Sequence, residues 1–147
     1  MKNNLRFQSL AHACDELLID IGCDFVGYAF QDQSGPNIRW LAAAGNCNDK
    51  YKRITVRYGK GIAGRVISTD RPMQINEFPS DILGKALEYP IMLAEKLLYA
   101  YAVPIHFNGM AKGVLLVGQR TKKPISEEAQ IAVKKAASRF EDLMKSL

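Results

Sequence analysis

Residues 57–66, Arg57-Tyr58-Gly59-Lys60-Gly61-Ile62-Ala63-Gly64-Arg65-Val66, constrain this chain more than any other stretch. Glycines at that spacing let the backbone turn sharply and approach a neighbour closely. The residues behind them, 62–68, can start a helix, whose first N–H groups would face the loop without intrahelical partners. Such a helix start is a ready site for a small anion.

The surrounding pattern narrows what the loop can be. Gly59-Lys60-Gly61-Ile62-Ala63-Gly64 is a literal G-x-G-x-x-G with Glu77 downstream, which imitates a dinucleotide-binding signature. Yet the strand predicted over residues 52–57 alternates Ile54 and Val56 with Thr55 and Arg57. That is the pattern of a half-exposed antiparallel strand, whereas buried parallel strands read as continuous apolar runs. Hairpin signals flank the loop, the helix after it is short, and no repeated βαβ unit is present. A P-loop is disfavoured too, because Arg65-Val66 stand where Lys and Ser/Thr must hold phosphate and magnesium.

Around the loop the chain alternates helices with hairpins. Leu5, Leu10, Cys14, Leu17, Leu18 and Ile21 recur at helical spacing, and Gly22 closes that helix. Strands are predicted over residues 24–31 and 38–44, joined by dense turn chemistry at 32–37. A short helix over 62–69 and a short strand over 73–76 precede a long irregular connection, residues 77–95. Pro79 and Pro90 bound short helical turns there, and such a connection is often a lid or binding loop. Strands over 99–107 and 111–119 meet at Asn108-Gly109, a strong hairpin signal. Pro104 inside the first of them predicts an edge position or a bulge. Ser126 caps a final helix whose predicted apolar stripe is Ile131, Ala132, Ala136, Phe140, Leu143 and Leu147. The order implies an α+β fold: an antiparallel sheet with the N- and C-terminal helices together on one face and short helices on the other. One domain over residues 1–147 is expected.

Composition excludes several function classes. With 147 residues, 48% hydrophobic and 24% charged, the chain can bury a core and is not a disordered segment. Neither a secretory leader nor a membrane span is read from it: the longest apolar candidate, residues 97–105, is short and contains Pro104. A cytoplasmic protein with no membrane partner is expected. Net charge of +5 mildly favours anionic partners. The densest basic segment, residues 50–60, offers only Tyr51 and Tyr58 for stacking. It is read as a solvated strand face, not a nucleic-acid surface. Cys14, Cys23 and Cys47 have no metal or disulfide spacing; Cys14 is assigned to the core and Cys47 to an exposed loop. His12 and His106 adjoin no promising nucleophile or carboxylate in sequence, so no catalytic residue and no metal site is assigned.

From residue 54 onward the layout resembles the GAF domain family of small ligand-sensing modules. The resemblance is carried by residues 59–66, Arg71-Pro72-Met73-Gln74-Ile75-Asn76, Tyr101-Ala102-Val103-Pro104-Ile105, Asn108-Gly109 and Gly113-Val114-Leu115-Leu116-Val117. Asn76 stands where the family usually has Asp. Within the family the chain is most similar to the free-standing nitrate receptors of NreA type, through Asp24-Phe25-Val26-Gly27-Tyr28, Arg39-Trp40, Lys52-Arg53-Ile54, the glycine loop and Tyr89-Pro90-Ile91. That resemblance implies nitrate held mainly by backbone amides at Ile62, Ala63 and Ile91, under Trp40, with Gly61 counted among the ligand-binding residues and Tyr89 and Pro90 shaping the pocket. It also implies a sensor histidine kinase of a two-component system as partner, no cofactor and no catalysis. A homodimer through the terminal helices is plausible on the same grounds.

Alternatives within the family stay open. A free methionine-(R)-sulfoxide reductase would need a set of cysteines facing the pocket, and the placement of Cys14, Cys23 and Cys47 does not look like one. A module for a nucleotide or another organic ligand would need more room than Trp40 and the short Tyr89-Pro90-Ile91 closure suggest. Attachment of a tetrapyrrole is disfavoured by the lack of a Cys-His pair.

Overall fold

The computed structural model describes the backbone of residues 2–145 and the side chains of residues 7–145. The Leu5 side chain and Leu147 lie outside the described residues. Elements follow in the order α1 (Lys2–Ile21), β1 (Phe25–Gln31), β2 (Asn37–Ala44), a 3₁₀ turn (Lys50–Arg53), β3 (Thr55–Arg57), α2 (Gly61–Thr69) and β4 (Met73–Ile75). A second 3₁₀ turn (Ala86–Glu88), α3 (Pro90–Ala94), β5 (Tyr99–Phe107), β6 (Met110–Gln119) and α4 (Glu127–Lys145) complete the chain.

The strands form one antiparallel sheet in the order β3-β2-β1-β6-β5-β4. Asn108 and Gly109 both take positive φ, 54° and 79°, which matches the turn of the β5–β6 hairpin to the strand twist. Alternation along β5 sends Tyr99, Tyr101, Val103 and Ile105 to one face and the small Ala100 and Ala102 to the other. On the first face α1 and α4 cover the sheet; Phe140 of α4 stacks on Tyr28 at a centroid distance of 5.2 Å. Burying such a ring contributes about 1.5–3 kcal/mol. Ser126 caps α4, its Oγ accepting the Ala129 N–H at 3.1 Å. On the second face lie α2, α3 and the 77–95 connection.

Several predicted details are corrected. The third strand is only Thr55–Arg57, because Lys50–Arg53 coils into a 3₁₀ turn that buries Tyr51 and leaves Lys52 and Arg53 exposed. The buried stripe of α4 runs through Val133, Phe140 and Met144, while Ile131 is 53% exposed. Apolar content alone had admitted Ile131, but α4 docks through the turn containing Val133. Pro104 is not on an edge strand of the sheet as a whole. It lies beyond the end of β4, whose Met73 pairs with Ala102, and beside an irregularity at Ile105/His106. There β5 is locally an edge, and a missing N–H is tolerated.

Candidate functional site

β3 delivers the chain to the glycine loop. Tyr58 N–H donates to the Pro36 carbonyl at 2.8 Å and Lys60 N–H to the Arg57 carbonyl at 2.9 Å, so the backbone doubles back before α2 begins. A Cβ at Gly64 would stand 2.3 Å from the Arg57 carbonyl oxygen, so α2 packs directly on the preceding backbone. Gly61 has φ +62°, and its Cβ would meet the Glu88 carbonyl oxygen at 2.7 Å. Glycine is demanded at both positions by contact, and at 61 by dihedral as well.

The first turn of α2 leaves the N–H groups of Gly61, Ile62 and Ala63 without intrahelical acceptors. Lys60, the N-cap, gives this end no side-chain hydrogen bond. A helix start concentrates roughly half a positive charge at such a position.

Trp40 reaches the same layer through a bulge. In β1–β2 the pairs Val26–Ala44 and Tyr28–Ala42 precede Ala29–Trp40, leaving Leu41 as the extra residue. Strict alternation from Ala42 would have turned Trp40 toward α1; the bulge turns it to the α2 face. Its ring lies over Gly27, whose Cβ would be 2.9 Å from Trp40 Cζ3. The indole is 3% exposed, and Nε1 has no hydrogen-bond partner among the described residues. A buried donor left unpaired costs about 1–3 kcal/mol, so a group of this kind calls for an acceptor.

The 77–95 connection closes over this layer. Tyr89 is fully buried and donates its hydroxyl to the Leu83 carbonyl at 2.7 Å; its ring lies 6.0 Å from that of Phe78. Pro90 opens α3, which puts Ile91 in the first turn and buries it with Met92. Trp40, Ile62, Ala63, Tyr89 and Ile91 thus fall in one buried cluster, with Gly61 against the turn preceding Tyr89 and Pro90 half-buried beside it.

Other members of the layer escaped sequence reasoning. Phe25, Tyr51, Phe78 and Met92 belong to the cluster. Burial pushes the Tyr51 hydroxyl above the ordinary phenol range, with the Asp49 carboxylate adding to it, so the group stays neutral. At the C-terminal end of α3, Glu95 is fully buried and its Oε1 accepts from Arg120 Nη2 at 2.5 Å and from the Cys47 N–H at 2.9 Å. Arg120 also donates to the carbonyls of Glu95 at 2.8 Å and Gly45 at 2.9 Å. This clamp fixes the end of the connection. A lone Glu and a lone Arg far apart in sequence gave no signal of it.

Neither histidine belongs to the cluster. His12 pairs with Glu16 at 2.9 Å, and His106 Nε2 meets Asp70 Oδ1 at 2.7 Å. Cys14 and Cys23 are buried on the opposite face of the sheet, and Cys47 is exposed. Among the described residues no group of three or more His, Cys, Asp or Glu is placed to hold a metal ion. No described helix is long and apolar enough to cross a membrane. What the cluster offers is a set of N–H donors enclosed by apolar walls.

The family profile of the GAF domain matches residues 8–140, and the chain, a curled antiparallel sheet with terminal helices on one face and a loop layer on the other, belongs to that family. Solved structures from Staphylococcus aureus are similar to it at above 30% identity, two of them as follows. One is a hypothetical protein, 34% identical, covering 80% of this chain and 98% of that one with a TM-score of 0.73. The other is NreA mutated in its nitrate-binding site, 32% identical, covering 82% and 89% with a TM-score of 0.75. A type II free methionine-R-sulfoxide reductase from Thermoplasma acidophilum shares the fold at 15% identity, with 97% and 94% coverage and a TM-score of 0.75. No curated protein matches the sequence.

Proposed function

We propose that this chain is a non-catalytic nitrate receptor of the cytoplasm, holding the ion at the start of α2 beneath Trp40 and behind Tyr89-Pro90-Ile91. The observation that carries this reading is the buried, unpaired Trp40 Nε1–H in the same apolar cluster as the uncapped first turn of α2. Nitrate is a planar, weakly hydrated monoanion, so it gives up water more readily than phosphate or sulfate does. Neutral donors and a helix start suffice for it, whereas a multivalent phosphate favours fixed cations. The likeness to NreA, a protein with a nitrate-binding site, points to the same ion.

Signalling follows from where the ion sits. Gly61 touches the 77–95 connection at Glu88, so an ion at α2 favours the closed arrangement of that segment. A partner sensor histidine kinase reads the resulting surface, and nitrate shifts its activity by its differential affinity for the two states. Ile19 on α1 and Ile131 on α4 are exposed at 78% and 53%, which leaves the terminal helices apolar side chains for pairing with a second copy.

Calorimetric titration tests the reading. Nitrate is expected to saturate one site per chain, with chloride and phosphate much weaker; absence of nitrate binding, or preference for another anion, refutes it. Catalysis as a sulfoxide reductase is disfavoured because none of Cys14, Cys23 and Cys47 belongs to the buried α2-face cluster.

A further inference from the structure

The outer side of the layer formed by α2 and the 77–95 connection carries apolar side chains that the core does not use. Leu83 and Leu87 on the connection are 63% and 84% exposed, and Tyr58 on the glycine loop is 52% exposed. They lie close together. Leu83 lines one open cleft with Gly59, Arg65 and Arg71, and the turn holding Leu87 rests on Gly61 through the Glu88 carbonyl. Clustered exposure of this kind marks an interaction surface, whereas single scattered residues do not.

Around them stand Arg57, Lys60, Arg65, Arg71 and Lys85, all exposed except the half-buried Arg65. Among the described residues none of these cations has a carboxylate within 4.0 Å. Nearby carboxylates are engaged elsewhere: Asp70 by His106 at 2.7 Å, and Glu88, whose Oε1 accepts the Lys85 N–H at 3.1 Å. Asp81, two residues before Leu83, is a weak counterweight to five cations. A partner that covers the leucines must therefore bring carboxylates, or it leaves positive charges unpaired at a contact that loses water.

We propose that this face docks an acidic amphipathic segment of a partner protein, with apolar side chains against Tyr58, Leu83 and Leu87 and carboxylates on the surrounding cations. Charge and shape decide among the occupants. A second copy meeting this face across a two-fold axis sets cations against cations. A bilayer is flat, whereas the cleft beside Leu83, about 320 Å³, is concave and admits a side chain. This partner is the one that senses the ion's presence, and only that coupling rests on the nitrate reading. The link is short: the Leu83 carbonyl accepts the Tyr89 hydroxyl at 2.7 Å, so a partner on Leu83 and an ion behind Tyr89 bias the same segment, reciprocally.

The test is fluorescence anisotropy of a labelled amphipathic peptide of about five helical turns, Leu on one face and Glu on the other, titrated with the full chain. It is run without nitrate and again at saturating nitrate, and saturable binding in either state supports docking. The same peptide with Lys for Glu should bind at least tenfold more weakly, and added salt should weaken the acidic one. Leu87→Asp and Arg71→Glu, both at exposed turn positions, should each weaken binding at least fivefold. Ile131→Asp, exposed on α4 at the other face of the sheet, should leave it unchanged. Nitrate calorimetry on the parent keeps the two readings apart. A chain that binds nitrate but not the peptide overturns docking alone, and one that binds the peptide but not nitrate overturns the ion site alone. Docking is also overturned by equal binding of the Lys peptide, by undiminished binding in Leu87→Asp or Arg71→Glu, or by an equal loss in Ile131→Asp. Phosphatidylglycerol vesicles that displace the peptide would make the face a membrane contact, and self-association abolished by Leu87→Asp would make it a contact between copies; either result overturns the proposal.

Discussion

Gly61 and Glu88 touch: a Cβ added at Gly61 would stand 2.7 Å from the Glu88 carbonyl oxygen, at a φ of +62°. The contact joins the start of α2 to the turn that carries Tyr89. Gly61→Ala should therefore cost about 1–3 kcal/mol through dihedral strain and a displaced turn. Nitrate affinity should drop at least tenfold, read by calorimetry beside urea unfolding. Gly109→Ala is the control. Its φ is +79° but nothing lies within 4 Å of the added Cβ, so stability falls through the dihedral alone and affinity stays.

Trp40→Phe separates the indole donor from the ring that packs over Gly27. The variant keeps most of the apolar contact and removes the unpaired Nε1–H. In the absence of ligand, stability should stay within about 1.5 kcal/mol of the parent, since the lost packing is offset by removal of an orphaned donor. Nitrate affinity should nevertheless fall at least tenfold. A variant that binds nitrate as the parent does would show that Trp40 is only a wall.

Local chemistry makes much of this architecture readable in the sequence. Gly22, Asn108-Gly109 and Ser126 each act within a few residues, and each ends or starts an element where it was expected. The loop, Trp40 and Tyr89-Pro90-Ile91 could be picked out because each stretch is distinctive and because the chain resembles a family. Long-range choices were hidden. Nothing around Leu41 marks the bulge that sets the face of Trp40, and Tyr51 sits in a basic run that hides its burial. Ile131 looked as apolar as Val133, and only docking against the sheet distinguishes them. Glu95 and Arg120 meet through tertiary structure alone.

That pair makes its own prediction. Glu95 is wholly buried, and Arg120 Nη2 is its charged partner at 2.5 Å. Arg120→Met leaves a buried carboxylate uncompensated and also strips the Glu95 and Gly45 carbonyls of their donor. The loss should be about 3 kcal/mol, toward the low end for a broken buried pair because Arg120 itself stays 27% exposed. Adding Glu95→Gln should restore part of it. A double variant no more stable than Arg120→Met would mean that the hydrogen bonds to the backbone, and not the charge, hold the connection down.

The three cysteines should divide sharply in reactivity. Burial pushes the Cys23 thiol up to about 11 and the Cys14 thiol further still, so neither supplies thiolate at neutral pH in the folded state. Cys47 is exposed on its loop. At pH 8 a disulfide reagent should therefore titrate one thiol per chain quickly, and Cys47→Ser should abolish that phase. The other two should react only as the chain unfolds. Because a raised folded pKa favours the protonated native state, this contribution to stability is full below the ordinary thiol pKa near 9. It should decline above that value, as the unfolded thiol ionises while the folded one does not, and the Cys23 part is spent once the pH passes about 11, where Cys23 ionises in the folded chain too. Two or three fast thiols at pH 8 would contradict the burial of Cys14 and Cys23. They would also reopen the case for cysteine chemistry, since a reductase depends on thiolates that substrate can reach.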